Sequence, residues 1–276
     1  MKLATLRTPT GTRAVRLDGD LLVDLGYADL GAYLAAGSPE APADATSGAT
    51  TWPVADADFA PVVPNPSKVI CVGHNYTNHI KEMGRELPAY PTLFTKFADS
   101  LIGAGDPLRA PAESSDIDWE VELVIVVGQE VRRASASEAE AAIAGFTVMN
   151  DISMRDWQFR TIEWTQGKIW EASTPVGPYL VTPDEVGGVR PALRVSTTVD
   201  GELMQSDDTG TLLFDPVALV QYISTITTLR PGDLIATGTP AGVGHARNPQ
   251  VYLRPGQTVV AAIDGLGACT TLVEAG

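Results

Sequence analysis

Ten consecutive residues, Asp118-Trp119-Glu120-Val121-Glu122-Leu123-Val124-Ile125-Val126-Val127, constrain the fold of this chain more than any other stretch. Side chains alternate along a strand, so Trp119, Val121, Leu123, Ile125 and Val127 share one face and Glu120, Glu122, Val124 and Val126 share the other. Both faces are largely apolar, which predicts a strand covered on both sides. Two carboxylates then sit side by side on a covered face. Burying each without a partner costs several kcal/mol, and a divalent cation removes that cost. Ligation by carboxylates alone selects a hard ion such as Mg²⁺, Mn²⁺ or Ca²⁺ and not zinc. The competing reading is an edge strand whose glutamates face water.

A third carboxylate favours the metal. Asp151 ends the apolar run Phe146–Met149, where it can complete a three-carboxylate site with Glu120 and Glu122. His79 and Glu82 stand three residues apart, on one face of a helix if they are helical. A carboxylate that orients an imidazole and raises its basicity makes a general base; an isolated His-x-x-Glu is equally a surface pair. Lys168, in Gln166-Gly167-Lys168-Ile169-Trp170, can project into a pocket to hold a substrate oxyanion, or stay solvated. The small-residue loop Thr237-Gly238-Thr239-Pro240-Ala241-Gly242-Val243-Gly244 lacks the ending of a phosphate loop, and it reads as a backbone-lined pocket wall. His74 and His245 have no metal-like partner at usable spacing, and both read as structural or pocket-lining.

With 44% hydrophobic and 19% charged residues, the 276-residue chain has material for a sizeable core. Its 26 Gly and 20 Pro point to many turns and a strand-rich fold. A net charge of −15 argues against nucleic acid or an anionic membrane as the main partner. Cys71 and Cys269 give no disulfide framework and no metal-ligand spacing, and Cys71 reads as a buried reduced thiol. No basic-then-apolar stretch opens the chain and no apolar run reaches membrane-spanning length, so the expected location is the cytoplasm.

Short alternating runs at Lys2–Arg7, Arg13–Leu17 and Leu21–Leu25, with Asp18-Gly19 as a hairpin turn, precede a short helix over Leu30–Ala36. A tether rich in Ala, Pro, Gly, Ser and Thr runs from Ala35 to Pro66. This division predicts a small N-terminal domain and linker over residues 1–60 and a main domain over 66–276. In the main domain, strands are expected at Lys68–Val72, Leu93–Lys96, Trp119–Val127 and Gly145–Asn150, with a short helix over His79–Met83. Ser137-x-x-Glu140 has capping-box spacing. Asp200-Gly201 marks a second hairpin between Leu193–Val199 and Glu202–Gln205. Asp215-Pro216 opens a helix running to about Thr228. Leu-Arg-Pro-Gly, at 229–232 and 253–256, reads as a reused turn. The predicted class is mixed α/β and β-rich, a roll or barrel with peripheral helices.

Taken in order, Gly73-x-Asn75-Tyr76-x-x-His79-x-x-Glu82, Phe94-x-Lys96, Asp118-x-Glu120-x-Glu122-Leu123, Asn150-Asp151-x-Ser153-x-Arg155, Gly167-Lys168, Pro175-x-Gly177-Pro178 and Gly238-Thr239-Pro240-x-Gly242-Val243-Gly244 resemble the fumarylacetoacetate hydrolase family, over roughly residues 66–273. The resemblance implies that Glu120, Glu122 and Asp151 ligate Mg²⁺ or Mn²⁺, with Ca²⁺ as a substitute in crystals. It implies that His79 and Glu82 form a catalytic dyad on a segment that orders over the substrate. Lys168 would then be catalytic, with Asn75, Tyr76, Lys96, Arg155 and Thr239 around the substrate. It further implies a β roll, a homodimer and a small oxo-acid substrate. Many members continue after Gly-Lys with Ser, an aromatic, Asp and Cys, where this chain has Ile169–Thr174; Phe97 replaces the proline after Lys96.

Three functions follow as expectations. The first is hydrolysis of a C–C bond in an acylpyruvate-like β-dicarbonyl acid, with His79 activating water. The second is decarboxylation of an oxaloacetate-like acid, or isomerisation of a hydroxymuconate-like acid, on the same metal site. The third is a non-catalytic protein that binds an oxo-acid or a metal. The dyad places hydrolysis first.

Overall fold

A computed structural model of the chain describes residues 1–38, 49–77, 80 and 86–276. In chain order the strands are β1 (Lys2–Thr8), β2 (Gly11–Asp18), β3 (Leu21–Asp24), β4 (Thr51–Pro53), β5 (Val69–Gly73), β6 (Thr92–Lys96), β7 (Leu101–Ile102), β8 (Leu108–Ala110), β9 (Ile117–Asp118) and β10 (Val121–Val127). They continue with β11 (Ile143–Asn150), β12 (Ser153–Met154), β13 (Thr174–Val181), β14 (Arg194–Val199), β15 (Glu202–Asp208), β16 (Leu234–Ala236), β17 (Thr258–Ile263) and β18 (Gly267–Ala275). The large sheet has the order β4-β3-β2-β1-β13-β11-β10-β16-β5-β6, with β7 also on β13; a smaller one runs β15-β14-β17-β18-β8. The class is the mixed α/β, sheet-dominated one expected.

The strand β10 lies between β11 and β16, so the edge-strand reading of the glutamates does not hold. All seven of its residues are buried. Val121, Leu123, Ile125 and Val127 pack against Val195, Ala261 and Ile263 of the smaller sheet and against Val217, Val220 and Ile223 of the helix Pro216–Ile226. On the other face, Val124 and Val126 meet Val69, Cys71, Leu234 and Ala236, with Leu30, Tyr33 and Leu34 of the helix Leu30–Ala35. Each fully buried Val, Leu or Ile contributes about 1.5–3 kcal/mol. The six apolar residues of β10 thus hold Glu122 in place against its tendency to hydrate.

The N-terminal strands extend the large sheet through β1 on β13, in the register Lys2↔Val181 and Leu3↔Leu180. Residues Ala4, Leu6, Val15 and Leu22 form a small core of their own there. Asp200-Gly201 is a two-residue turn with positive φ at both positions (49° and 83°), the geometry that matches the twist of a hairpin. Asp215 caps the helix Pro216–Ile226 by accepting from the Ala218 N–H. That helix ends two residues before Thr228 because Thr227 is extended and leads Leu229 into a bridge with Val131.

One capping assignment is corrected. The box is Ser135 with Glu138, not Ser137 with Glu140, and it opens the helix Ala136–Ala142. This start turns Ala139 and Ala142 inward, where both are buried. The helix expected over His79–Met83 and part of the tether, residues 39–48, lie outside the described residues.

Candidate active site and metal centre

The pairing of β10 with β11 assembles the carboxylates. Glu122 faces Met149, and the Asp151 N–H donates to the Glu120 carbonyl at 2.8 Å, so Asp151 stands opposite Glu120 on the face that Glu122 shares. One oxygen from each of Glu120, Glu122 and Asp151 lies within 4.8 Å of the others, and all three residues are buried.

Cations from distant parts of the chain meet this cluster. Lys168 Nζ is 2.7 Å from both Glu120 Oε2 and Asp151 Oδ2. Lys96 Nζ is 2.7 Å from Asp151 Oδ1. Arg155 Nη2 is 2.7 Å from Glu120 Oε1, and its Nε is 2.8 Å from Asp118 Oδ2. Asp118 also accepts from the N–H groups of Gly244 (2.7 Å) and His245 (2.9 Å), tying the loop after β16 to the cluster. Gly244 sits so close that a Cβ there would be 2.9 Å from Asp118 Oδ1 and would collide with the Val251 carbonyl.

Four buried carboxylates thus face three cations, an excess of one negative charge when all four are ionised. Glu122 has no ion-pair partner among the described residues; its Oε2 accepts from the Gly238 N–H at 2.7 Å. Gly238 has φ +96°, and a Cβ there would lie 2.8 Å from the Val72 carbonyl, so this donor requires glycine. Burial, then the charges of Asp151 and Glu120, hold the Glu122 carboxyl well above the usual carboxylate range. Burial also acts to raise Asp151, but Lys168 and Lys96 outweigh it and keep Asp151 low. Burial alone would lower Lys168; Asp151 and Glu120 override it, and the ammonium stays charged. An all-oxygen donor set that is one charge short fits a hard divalent cation.

The cleft over this cluster has Glu120, Glu122, Arg155, Lys168 and Thr239 among its polar lining. Its apolar wall includes Phe94, Phe159, Trp164 and Val243. Trp164 meets His74 and Phe94 edge to face, with ring centroids 5.2 and 5.6 Å apart. Lys168 Nζ lies 5.1 Å from the centre of the Phe94 ring. His245 stacks on Phe159 at 5.0 Å, and its Nδ1 is 2.9 Å from the Tyr252 hydroxyl. Burial, then the Arg155 charge, lower the His245 pKa and favour neutral imidazole.

Of the residues singled out in the sequence, Glu120, Glu122, Arg155, Lys168 and Thr239 come together at the cleft, with buried Asp151 beside them. Lys96 is buried against Asp151 and does not line the cleft. Asn75 and Tyr76 are also buried and away from the lining. The Asn75 amide donates to the carbonyls of Phe214 (3.0 Å) and Thr237 (2.8 Å) and accepts from the Phe214 N–H, so its capacity is used within the protein. His79 and Glu82 lie outside the described residues. His74 and His245 line the cleft, as one of the readings of each allowed. Gln158, Phe159 and Trp164 went unmarked in the sequence. The only local signal for them was the density of aromatic residues between Trp157 and Trp170.

A sheet-dominated fold with three carboxylates and a lysine under an aromatic-walled cleft has the oxygen donors that could hold a divalent cation. The chain belongs to the fumarylacetoacetate (FAA) hydrolase C-terminal family, whose model matches residues 68–274. It is 42% identical over 217 residues to the human protein named oxaloacetate tautomerase FAHD2A, mitochondrial, covering 78% of this chain and 69% of that one. Among solved structures, it matches the fumarylacetoacetate hydrolase of psychrophilic Exiguobacterium antarcticum at 32% identity and a TM-score of 0.90, over the whole of both chains. It also matches the 5-carboxymethyl-2-hydroxymuconate delta-isomerase of Mycobacterium smegmatis at 31% identity and a TM-score of 0.84, again over both whole chains. No described helix is long and apolar enough to cross a membrane.

Proposed function

We propose that this chain is a divalent-metal-dependent enzyme acting on a small 2-oxo acid through its enolate, with keto–enol tautomerisation of an oxaloacetate-like acid as its reaction. The observation that carries the reading is the buried Glu120–Glu122–Asp151 triad, in which Glu122 alone has no ion-pair partner among the described residues while Lys96, Arg155 and Lys168 pair with the other two and with Asp118. The name of the human relative supports the choice of tautomerisation.

Glu120, Glu122 and Asp151 would hold Mg²⁺ or Mn²⁺, which when bound supplies Lewis acidity to the 2-oxo-acid end of the substrate. A dication changes the cluster from one net negative charge to one net positive charge, which suits an anionic substrate. Lys168 and Arg155 keep their charges and present them to the substrate's oxygens from the cleft floor. Phe94, Trp164 and Val243 exclude water and strengthen those interactions. The sequence pair His79-x-x-Glu82 would supply the base: His79 takes the proton from the carbon next to the carbonyl and the enolate oxygen receives one, the reverse transfer restoring the keto acid.

The sequence pair His79-x-x-Glu82 also favours a second reading, the hydrolysis of an acylpyruvate-like acid, in which the same base activates water. The likeness to the Exiguobacterium hydrolase agrees with it. The test is to strip the protein with EDTA and supply enol-oxaloacetate or acetylpyruvate, with and without Mn²⁺. Metal-restored loss of the enol absorbance with oxaloacetate intact supports the tautomerase. Metal-restored acid release from acetylpyruvate moves the assignment to the hydrolase, and carbon dioxide release from oxaloacetate moves it to a decarboxylase. Inertness towards all of them removes the enolate reading.

A further inference from the structure

Gln205, on β15, is buried and does not itself line the cleft, yet its amide settles which way a cleft hydroxyl can point. Its carbonyl oxygen Oε1 accepts from the Val121 backbone N–H at 3.2 Å and from the Thr197 hydroxyl at 2.7 Å. Its nitrogen Nε2 is 2.9 Å from the Pro240 carbonyl and 2.8 Å from Thr239 Oγ1. A backbone N–H can only donate and a backbone carbonyl can only accept. Val121 and Pro240 therefore leave one orientation for the amide. Flipping it would set N–H against N–H and oxygen against oxygen.

With the amide so fixed, the second Nε2 hydrogen goes to Thr239, whose oxygen must accept it. The hydroxyl proton of Thr239 is then unavailable to Gln205, and among the described residues no acceptor takes it. Thr239 is 6% exposed and lines the cleft beside Glu120, Glu122 and Lys168. We propose that Gln205 is a positioning residue that makes the Thr239 hydroxyl an obligate donor into the cleft, where it binds an anionic oxygen of the substrate. The substrate class rests on the 2-oxo-acid reading above; the polarity of the hydroxyl does not.

The polarity is tested on the whole, unmodified chain by neutron diffraction from crystals exchanged into D₂O. The expected result is deuterium on both Nε2 positions of Gln205, directed to Pro240 and Thr239, with the Thr239 deuterium turned towards the cleft. A Thr239 deuterium directed at Gln205 would overturn the proposal whatever the protein catalyses. The ligand is tested by calorimetric titration of the Mn²⁺-loaded protein with oxalate, a planar stand-in for the enolate of a 2-oxo acid. Loss of one hydrogen bond to a charged acceptor should weaken oxalate about 10- to 100-fold in Thr239→Val, while Thr239→Ser stays within about twofold of wild type. In Gln205→Glu the buried carboxyl takes up a proton to donate to the Pro240 carbonyl and offers Thr239 an acceptor oxygen, so the variant should weaken oxalate by a similar factor with Mn²⁺ affinity unchanged. Equal oxalate affinity in wild type and Thr239→Val would overturn the role given to the hydroxyl. If wild type fails to bind oxalate, the 2-oxo-acid reading falls and the ligand half of the proposal with it, while the neutron result still decides the polarity.

Discussion

Lys168 and Asp151 form a 2.7 Å ion pair in which neither side chain is more than 2% exposed. Seventeen residues separate them in the chain, and Lys168 spans from Asp151 to Glu120 with the same ammonium. It thereby does two tasks. It offsets the charge of two carboxylates of the proposed metal site, and at the cleft floor it remains a permanent cation.

Replacing Lys168 with Met should therefore destabilise the metal-free protein by about 1.5–3 kcal/mol through lost charge-assisted hydrogen bonds, Asp151 keeping Lys96 and Glu120 keeping Arg155 as partners. Mn²⁺ supplies the missing charge, so the variant should regain more stability from metal than wild type does. Thermal melts with EDTA and with Mn²⁺ check this. A loss of the same size under both conditions would mean that Lys168 acts by packing alone.

Glu122 behaves in the opposite sense, because its folded-state pKa is raised, by burial first and then by Asp151 and Glu120. Stability linked to a raised carboxylate is fully present below the unfolded pKa of about 4.3 and is lost as pH rises through the folded value. In EDTA, Glu122→Gln should match wild type near about pH 4 and become the more stable protein as pH rises. With Mn²⁺ the order should reverse, since the variant lacks a ligand. Urea unfolding midpoints across the pH range, with and without metal, provide the check.

Asp118 joins Arg155 to the backbone N–H groups of Gly244 and His245. Asp118→Ala should cost about 1.5–3 kcal/mol through its lost charge-assisted hydrogen bonds, Arg155 keeping Glu120 as its remaining ion-pair partner. It should also release the loop that carries His245 on the cleft wall. Amide hydrogen exchange at Gly244 and His245 should accelerate more than exchange along β10; uniform acceleration would indicate global destabilisation only.

A Cβ on Gly73 would collide with the Trp164 ring that walls the cleft. Gly73→Ala should cost about 1–3 kcal/mol through overpacking. Its effect on turnover should fall on KM, because the displaced wall leaves the carboxylate cluster in place. Steady-state kinetics with enol-oxaloacetate separate the two parameters.

The parts of this architecture that local chemistry decides were legible in the chain. Alternation placed Glu120 and Glu122 on one face of a covered strand, the strand-end position marked Asp151, and Asp215-Pro216 announced its helix. The parts decided by long-range geometry were not. Lys96, Arg155 and Lys168 reach the carboxylates from separate segments, and no sequence period records that meeting. Nor does it record that Asn75 spends its amide on Phe214 and Thr237, or that Gln205 orients Thr239 across the sheet interface. The two overlapping serine–glutamate spacings at 135–140 were equivalent by local rule; the burial of Ala139 and Ala142 goes with the Ser135 start. The extension of the large sheet by β1 on β13 likewise depends on strands far apart in the chain, as in the pair Lys2↔Val181.

The proposed function rests on Glu120, Glu122 and Asp151 holding one divalent ion. Calorimetric titration of EDTA-stripped protein with Mn²⁺, wild type against Asp151→Asn, tests it most directly. The expected result is one Mn²⁺ per chain in wild type and a loss of at least about tenfold in affinity in the variant, equivalent to about 1.4 kcal/mol. Equal affinity and stoichiometry in the two proteins would contradict the assignment and place the ion elsewhere.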